Sequence, residues 1–247
     1  MIAIVSPSKT MKEEPVKVKT TTPQFIEDTQ ILAKEMQNYE VKDLKKLMNI
    51  SEDLASLNFE RFQNFDKAEE YPATYLFRGD VFKGLDIDTL DEEDLSYLND
   101  HLRILSGLYG ALRPLDLIKP YRLEMGTKLP TDRGKDLYDF WDDKVQKSLE
   151  KDAKDNILIN LASKEYSKII REKTIDLKVI DVDFKDYRKG EYKIIAFYAK
   201  VARGEMARFM AKNKIKTVEG LKSFDYSGYS FNENLSHEEK LVFTRKA

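Results

Sequence analysis

Apolar residues fall along this chain in short runs whose period changes several times. "IAIV" at residues 2–5 is a continuous apolar run closed by Pro7, which predicts a short buried strand. Residues 8–24 are polar and carry no hydrophobic period, as in a loop. From Phe25 to Tyr39 the spacing turns helical through Phe25, Ile26, Leu32 and Met36. Residues 41–50 and 51–65 predict two further helices, with Ser51 placed to cap the second ahead of acidic residues. After Tyr71-Pro72, "ATYLFRGDVFKGLD" fits strand and helix alike. Residues 91–106 predict a helix that starts among acids and runs to the glycines beyond.

Further on, "DNILINLAS" predicts a strand ending in small polar residues. "KVIDVDFKD" and "YKIIAFYAKVARG" predict two strands with a turn at Lys189-Gly190 between them. A basic helix begins at Ala202, and "KLVFTR" closes the chain as a last strand. No repeat, linker or composition break divides residues 1–247. The expected architecture is α/β, or mixed α+β: a single compact domain with a central mixed sheet and surrounding helices.

Composition narrows the chemistry. The absence of cysteine removes disulfides, thiol nucleophiles and thiolate metal sites, and two lone histidines leave little for a histidine-based metal site. No metal and no cofactor are expected. With neither a secretory leader pattern nor a long apolar run, the expectation is a cytoplasmic protein without membrane contact. Net charge is −2, yet residues 86–100 hold acids without a single Lys or Arg, while residues 185–222 are strongly basic. Either these are two solvated faces, or the basic one has an anionic partner.

Candidate chemistry gathers at strand ends and glycines. "SPSKT" comes directly after the first strand, and Ser6, Lys9 and Thr10 can offer hydroxyls, backbone N–H groups and a charge to an anion. The glycines of a P-loop are missing. Arg78 in "FRGD" and Asn160 and Ser163 in "NLAS" are candidate polar contacts; Asn160 and Ser163 lie just past a strand end, where ligands of open α/β sheets sit. Lys200, Arg203 and Arg208 place three cations around Gly204, a natural phosphate contact. The densest stretch is "LSGLYGALRPLDLIKPYRLEMG", residues 105–126. A helix ending at Leu105, a turn through Gly107 and Gly110, and a short helix from Ala111 would make a helix-hairpin-helix-like element whose glycine N–H groups meet a phosphate. Arg113, Arg122 and Lys135 would extend it, with Tyr109 and Tyr121 beside them. The alternative is a proline-braced loop packed on the core, with Arg113–Asp116 and Arg122–Glu124 as internal pairs.

"SPSKT", the 105–126 stretch, "RGKDLYDFW", "NLASKEY" and "FYAKVARGEMARF" together resemble the hallmark segments of the peroxide stress protein YaaA family, in its order and over nearly the whole chain. The one departure is Ser8 where the family often has alanine, which leaves an anion-binding turn intact. The resemblance implies a cytoplasmic bacterial protein of the oxidative-stress response to hydrogen peroxide. It implies roles in lowering free intracellular iron and limiting oxidative DNA damage, and DNA binding by a helix-hairpin-helix element and a positive cleft.

Two readings of mechanism stay open. In one, the cleft holds DNA, a bent or distorted duplex selected by shape. In the other, Glu124 as base and Tyr109 or Lys200 as acid act on a nucleotide or another phosphorylated small molecule, which leaves enzymatic activity undecided. The catalytic residues in that case are unassigned beyond these candidates, and the oligomeric state is not fixed by the sequence.

Overall fold

The structure, a computed structural model, describes residues 1–170 and 174–246. The apolar run at the start forms β1 (Ile2–Val5), buried along its whole length. Three helices come next: α1 (Ile26–Gln37), α2 (Val41–Met48) and α3 (Glu52–Gln63), the last capped by the Ser51 side chain accepting from the Leu54 N–H. The ambiguous stretch resolves into a two-residue strand, β2 (Tyr71–Pro72), and two short helices, α4 (Ala73–Leu76) and α5 (Asp80–Leu85). α6 (Glu92–His101) then leads into β3 (Leu102–Ser106), β4 (Gly110–Leu112) and β5 (Leu117–Ile118). After α7 (Leu137–Trp141) and α8 (Lys144–Asp152) come β6 (Ile157–Asn160), α9 (Lys164–Ser167), β7 (Lys178–Arg188) and β8 (Glu191–Lys193). The chain ends with α10 (Ala196–Lys212), α11 (Val218–Leu221), β9 (Ser230–Phe231) and β10 (Lys240–Lys246).

One mixed sheet organises these elements, in the order β4-β3-β1-β6-β7-β10-β9 with β8 paired to β7. Its inner five strands, β3, β1, β6, β7 and β10, run parallel. β4, β8 and β9 add antiparallel edges. The chain leaves β1 for β3 on one side, then enters β6 on the other side and proceeds outward. The direction of winding therefore reverses between β1 and β6. In open α/β sheets, the crevice beyond the carboxyl ends of two such strands is where ligands bind.

Two expectations are corrected. Residues 102–106 are a strand, because β3 is buried on both faces and its apolar run carries no alternation to separate it from a helix. β3 turns into β4 through a tight β-hairpin that pairs Ser106 with Gly110, so residues 105–112 form no helix-hairpin-helix. The hairpin glycines serve packing: a Cβ on Gly107 would lie 2.3 Å from the Leu123 carbonyl oxygen, and Gly110 has φ +71°. Ser106 Oγ completes the turn by accepting from the N–H groups of Leu108 and Tyr109.

The second correction concerns "AFYAKVARG", which is the start of α10 rather than a strand. Ala199, Ala202, Met206 and Met210 recur at helical spacing on its buried side. A strand would have sent Tyr198 and Lys200 to one face; the helix instead lines up Lys200 and Arg203. The expected turn at Lys189-Gly190 does join two paired strands, with φ +50° and +92° there. α10 crosses α5 at two facing glycines. A Cβ on Gly204 would lie 1.8 Å from the Val81 carbonyl oxygen, and one on Gly84 would lie 2.0 Å from that of Val201. This contact brings the first half of α10 over the carboxyl ends of β1 and β6.

Candidate functional site

A cleft of about 640 Å³ opens at the reversal point. Ser6, directly after β1, stitches it to the segment after β6: its hydroxyl donates to Ser163 Oγ at 3.2 Å and accepts from the Ser163 N–H at 2.9 Å. Residues 8–12 lie along the 76–78 segment. Lys12 N–H donates to the Leu76 oxygen, Arg78 N–H to the Thr10 oxygen, and Ser8 Oγ to the Arg78 oxygen at 2.8 Å. A Cβ on Gly79 would come within 2.5 Å of Ser8 Oγ, so a larger residue there would push the Ser8 side chain aside. The "SPSKT" and "FRGD" segments therefore form one wall of the cleft.

The opposite wall is residues 121–124. Glu124 takes Lys9 Nζ on one carboxylate oxygen at 2.5 Å and Arg122 Nη2 on the other at 2.9 Å. It both faces the cleft and pins Arg122. Glu165 accepts from the Gly126 N–H at 3.0 Å, and Tyr166 is buried beside it, with burial pushing its phenol pKa up. α10 supplies the roof through Lys200 and Arg203. Six cations (Lys9, Arg78, Lys83, Arg122, Lys200 and Arg203) face three carboxylates (Asp80, Glu124 and Glu165) around this space.

Two features separate this set from an ordinary surface. The Nε–H groups of both Arg122 and Arg203 are buried with no acceptor. Burial also pushes the Arg203 guanidinium down from its usual pKa, opposed only by the charges of Asp183 and Asp181. Among the described residues neither Arg203 nor Lys200 has an ion-pair partner. Buried donors of native proteins are nearly always satisfied, so two orphaned guanidinium donors at one site mark it as a candidate anion site.

The structure brings together Ser6, Lys9, Thr10, Arg78, Tyr121, Arg122, Glu124, Ser163, Lys200 and Arg203 of the sequence candidates. Tyr121 contributes only its ring face, because its hydroxyl is bound to Ser106 Oγ at 2.5 Å. Asn160 lines a neighbouring cavity of about 820 Å³ that shares Arg203, and its amide is committed to Asp181 and to the Ala162 N–H. The other candidates lie elsewhere. Gly107 and Gly110 hold the β-hairpin. Tyr109 is buried and accepts from the Lys119 N–H, and burial raises its pKa well beyond reach of an acid role. Arg113 is exposed away from the cleft, its backbone N–H bound to Asp116 Oδ2. Lys135 is exposed and does not line the cleft, its backbone N–H bound to Asp139 Oδ2. Arg208 donates to the Leu85 and Asp86 oxygens and to Thr89 Oγ1, closing the end of α5. Gly79, Asp80 and Lys83 belong to the cleft but are absent from the sequence candidates; the "RGD" beside them was the available signal, and it reads as a private ion pair. Arg78 in fact reaches toward Asp88, at 3.7 Å.

Sequence comparison identifies related proteins. The peroxide stress protein YaaA family profile matches residues 1–235. Relatives spanning essentially the full length of both chains include UPF0246 proteins of Saccharophagus degradans, 48% identical over 255 residues with 100% of each chain covered. Others are from Alteromonas mediterranea, 49% identical over 258 residues with 99% and 98% covered, and Clostridium botulinum, 46% identical over 258 residues with 99% of each covered. Among the described residues no helix is long and apolar enough to cross a membrane.

Proposed function

The chain belongs to the peroxide stress protein YaaA family, and from that premise we propose that it serves the peroxide response in the cytoplasm by binding DNA through the cleft between β1 and β6. The observation that carries this reading is the pair of buried Arg122 and Arg203 Nε–H groups without acceptors. A phosphate diester supplies anionic oxygens at the spacing that guanidinium groups favour, and Lys200 adds a free charge at the mouth. A space of about 640 Å³ suits a phosphate with one nucleoside and excludes a stacked duplex. Distorted DNA, in which a nucleotide is already unstacked, enters at the lowest cost. Selection is then by deformability rather than base sequence. Occupied DNA is shielded from oxidants, and any effect on free iron would be indirect, since Lys9 and Arg122 beside Glu124 disfavour a cation there.

Fluorescence anisotropy tests this with plain duplex, a four-way junction and a mononucleotide, titrated from about 50 to 200 mM salt, a range over which phosphate contacts lose much of their affinity. Preference for the junction with steep salt dependence supports DNA as the ligand. A second reading rests on Glu124, whose carboxylate faces the cleft between two cations, where a clamp has no need of it. It makes the protein an enzyme acting on a nucleotide or another phosphorylated small molecule. Salt-insensitive mononucleotide binding with feeble DNA binding would favour that reading.

A further inference from the structure

Outside the cleft, the most unusual surface lies where the β7–β8 hairpin meets the first turn of α10. Large apolar side chains are left in solvent there within eleven residues: Tyr187 is 40% exposed, Ile194 49% and Phe197 52%. Tyr187 and Tyr192 pack edge to face at 5.2 Å, as do Phe197 and Tyr198 at 5.5 Å. Arg245 lies 4.6 Å over the Tyr198 ring, so Phe197 offers the more open face. Lys193 is paired with Glu191 at 2.8 Å and Lys246 lies 5.8 Å over the Tyr187 ring, but other cations around the rings are free. Arg188, Lys189 and Lys200 have no ion-pair partner among the described residues, and Asp186, the acid of β7 nearest the tip, is buried and bound by Arg245 and Tyr229.

We propose that this tip is a stacking platform for unpaired bases of single-stranded DNA whose phosphates run into the cleft. Aromatic faces interleaved with unpaired cations match a strand that presents planar bases on one side and phosphates on the other. The helix supplies the continuity. Phe197, Lys200 and Arg203 succeed one another at three-residue steps along α10, from the exposed ring to the buried guanidinium, over about 9 Å of helix axis. The inference rests on the DNA reading above and adds to it where the bases go.

The test is anisotropy with a labelled 20-residue oligothymidine and a blunt duplex, comparing the unmodified protein with Phe197→Ala, Tyr192→Ala, Phe197→Tyr and Arg203→Ala. The platform predicts that each aromatic-to-alanine change weakens oligothymidine binding by roughly 5- to 100-fold. The salt slope should stay unchanged and Phe197→Tyr should retain affinity. Arg203→Ala lowers both affinity and salt slope. Because Phe197 is half exposed, Phe197→Ala should keep its melting temperature; retained affinity in Phe197→Tyr excludes a folding defect as the cause of loss. Oligothymidine binding unchanged in both alanine variants, but lost in Arg203→Ala, overturns the platform and leaves the cleft reading standing. Failure of the unmodified protein to bind either DNA overturns both.

Discussion

The two halves of α10 carry similar sequence and opposite electrostatics. In the first half, Lys200 and Arg203 border the cleft with no ion-pair partner among the described residues. In the second half every cation is answered. Arg208 closes α5 and binds Thr89, and Lys212 Nζ lies 2.7 Å from Asp94 Oδ2; just past the helix, Lys214 Nζ lies 2.5 Å from Asp94 Oδ1. The partners belong to the run at residues 86–100, so the acidic segment answers three cations of the basic one, Arg208, Lys212 and Lys214. Burial works against the Asp94 charge, but the two lysines overcome it and hold its carboxyl down at about 2. A run of positive charge on a helix therefore says little about an anionic ligand until its internal partners are subtracted. Here the remainder points into a cleft.

The largest effect should come from the hinge between the halves. Gly204→Ala drives a Cβ into the Val81 carbonyl and should lower unfolding free energy by about 3 kcal/mol or more, read by urea denaturation. The next two changes cross the comparison. Arg203→Ala should weaken DNA binding by roughly tenfold or more at about 100 mM salt while leaving the melting temperature nearly unchanged, because its Nε is already unsatisfied. Asp94→Asn should do the reverse, keeping affinity and lowering stability by on the order of 2 kcal/mol through its two lysine contacts and the α6 capping box. Its pH signature comes from a depressed pKa. The stabilisation is full above about pH 4 and is lost as pH falls toward 2, so acid melting should flatten in the Asn variant. The smallest expected change is Glu124→Gln, which releases Lys9 and Arg122 and should raise phosphate affinity a few-fold, about 1 kcal/mol or less. Unaltered binding with lost peroxide protection in cells would instead mark Glu124 as a reacting group.

Local signals are readable where one segment decides its own conformation. The strands at residues 2–5 and 157–160, the Ser51 cap and the Lys189-Gly190 turn come from run length, capping chemistry and φ > 0 alone. β3 is not readable in this way, since a strand covered on both faces has no alternation. The start of α10 misleads because Ile194, Ile195 and Phe197 look like a strand until Ala199, Ala202 and Met206 are seen to share a buried face. The glycines of residues 107–110 announce tight backbone, but close approach to Leu123 and close approach to a phosphate demand the same residue.

Residue types and their order along the chain fix the class of the protein, the groups available for holding an anion, and the segments that carry them. Which of those cations remain unpaired was decided only by the tertiary structure. Ser6, Arg78, Arg122 and Arg203 are separated by up to 197 positions along the chain. They meet because the winding of the sheet reverses between β1 and β6 and because two glycines let α10 close over that point. Charge is a property of a residue, but its neutralisation depends on what lies within about 4 Å, and that distance is set by packing between distant segments.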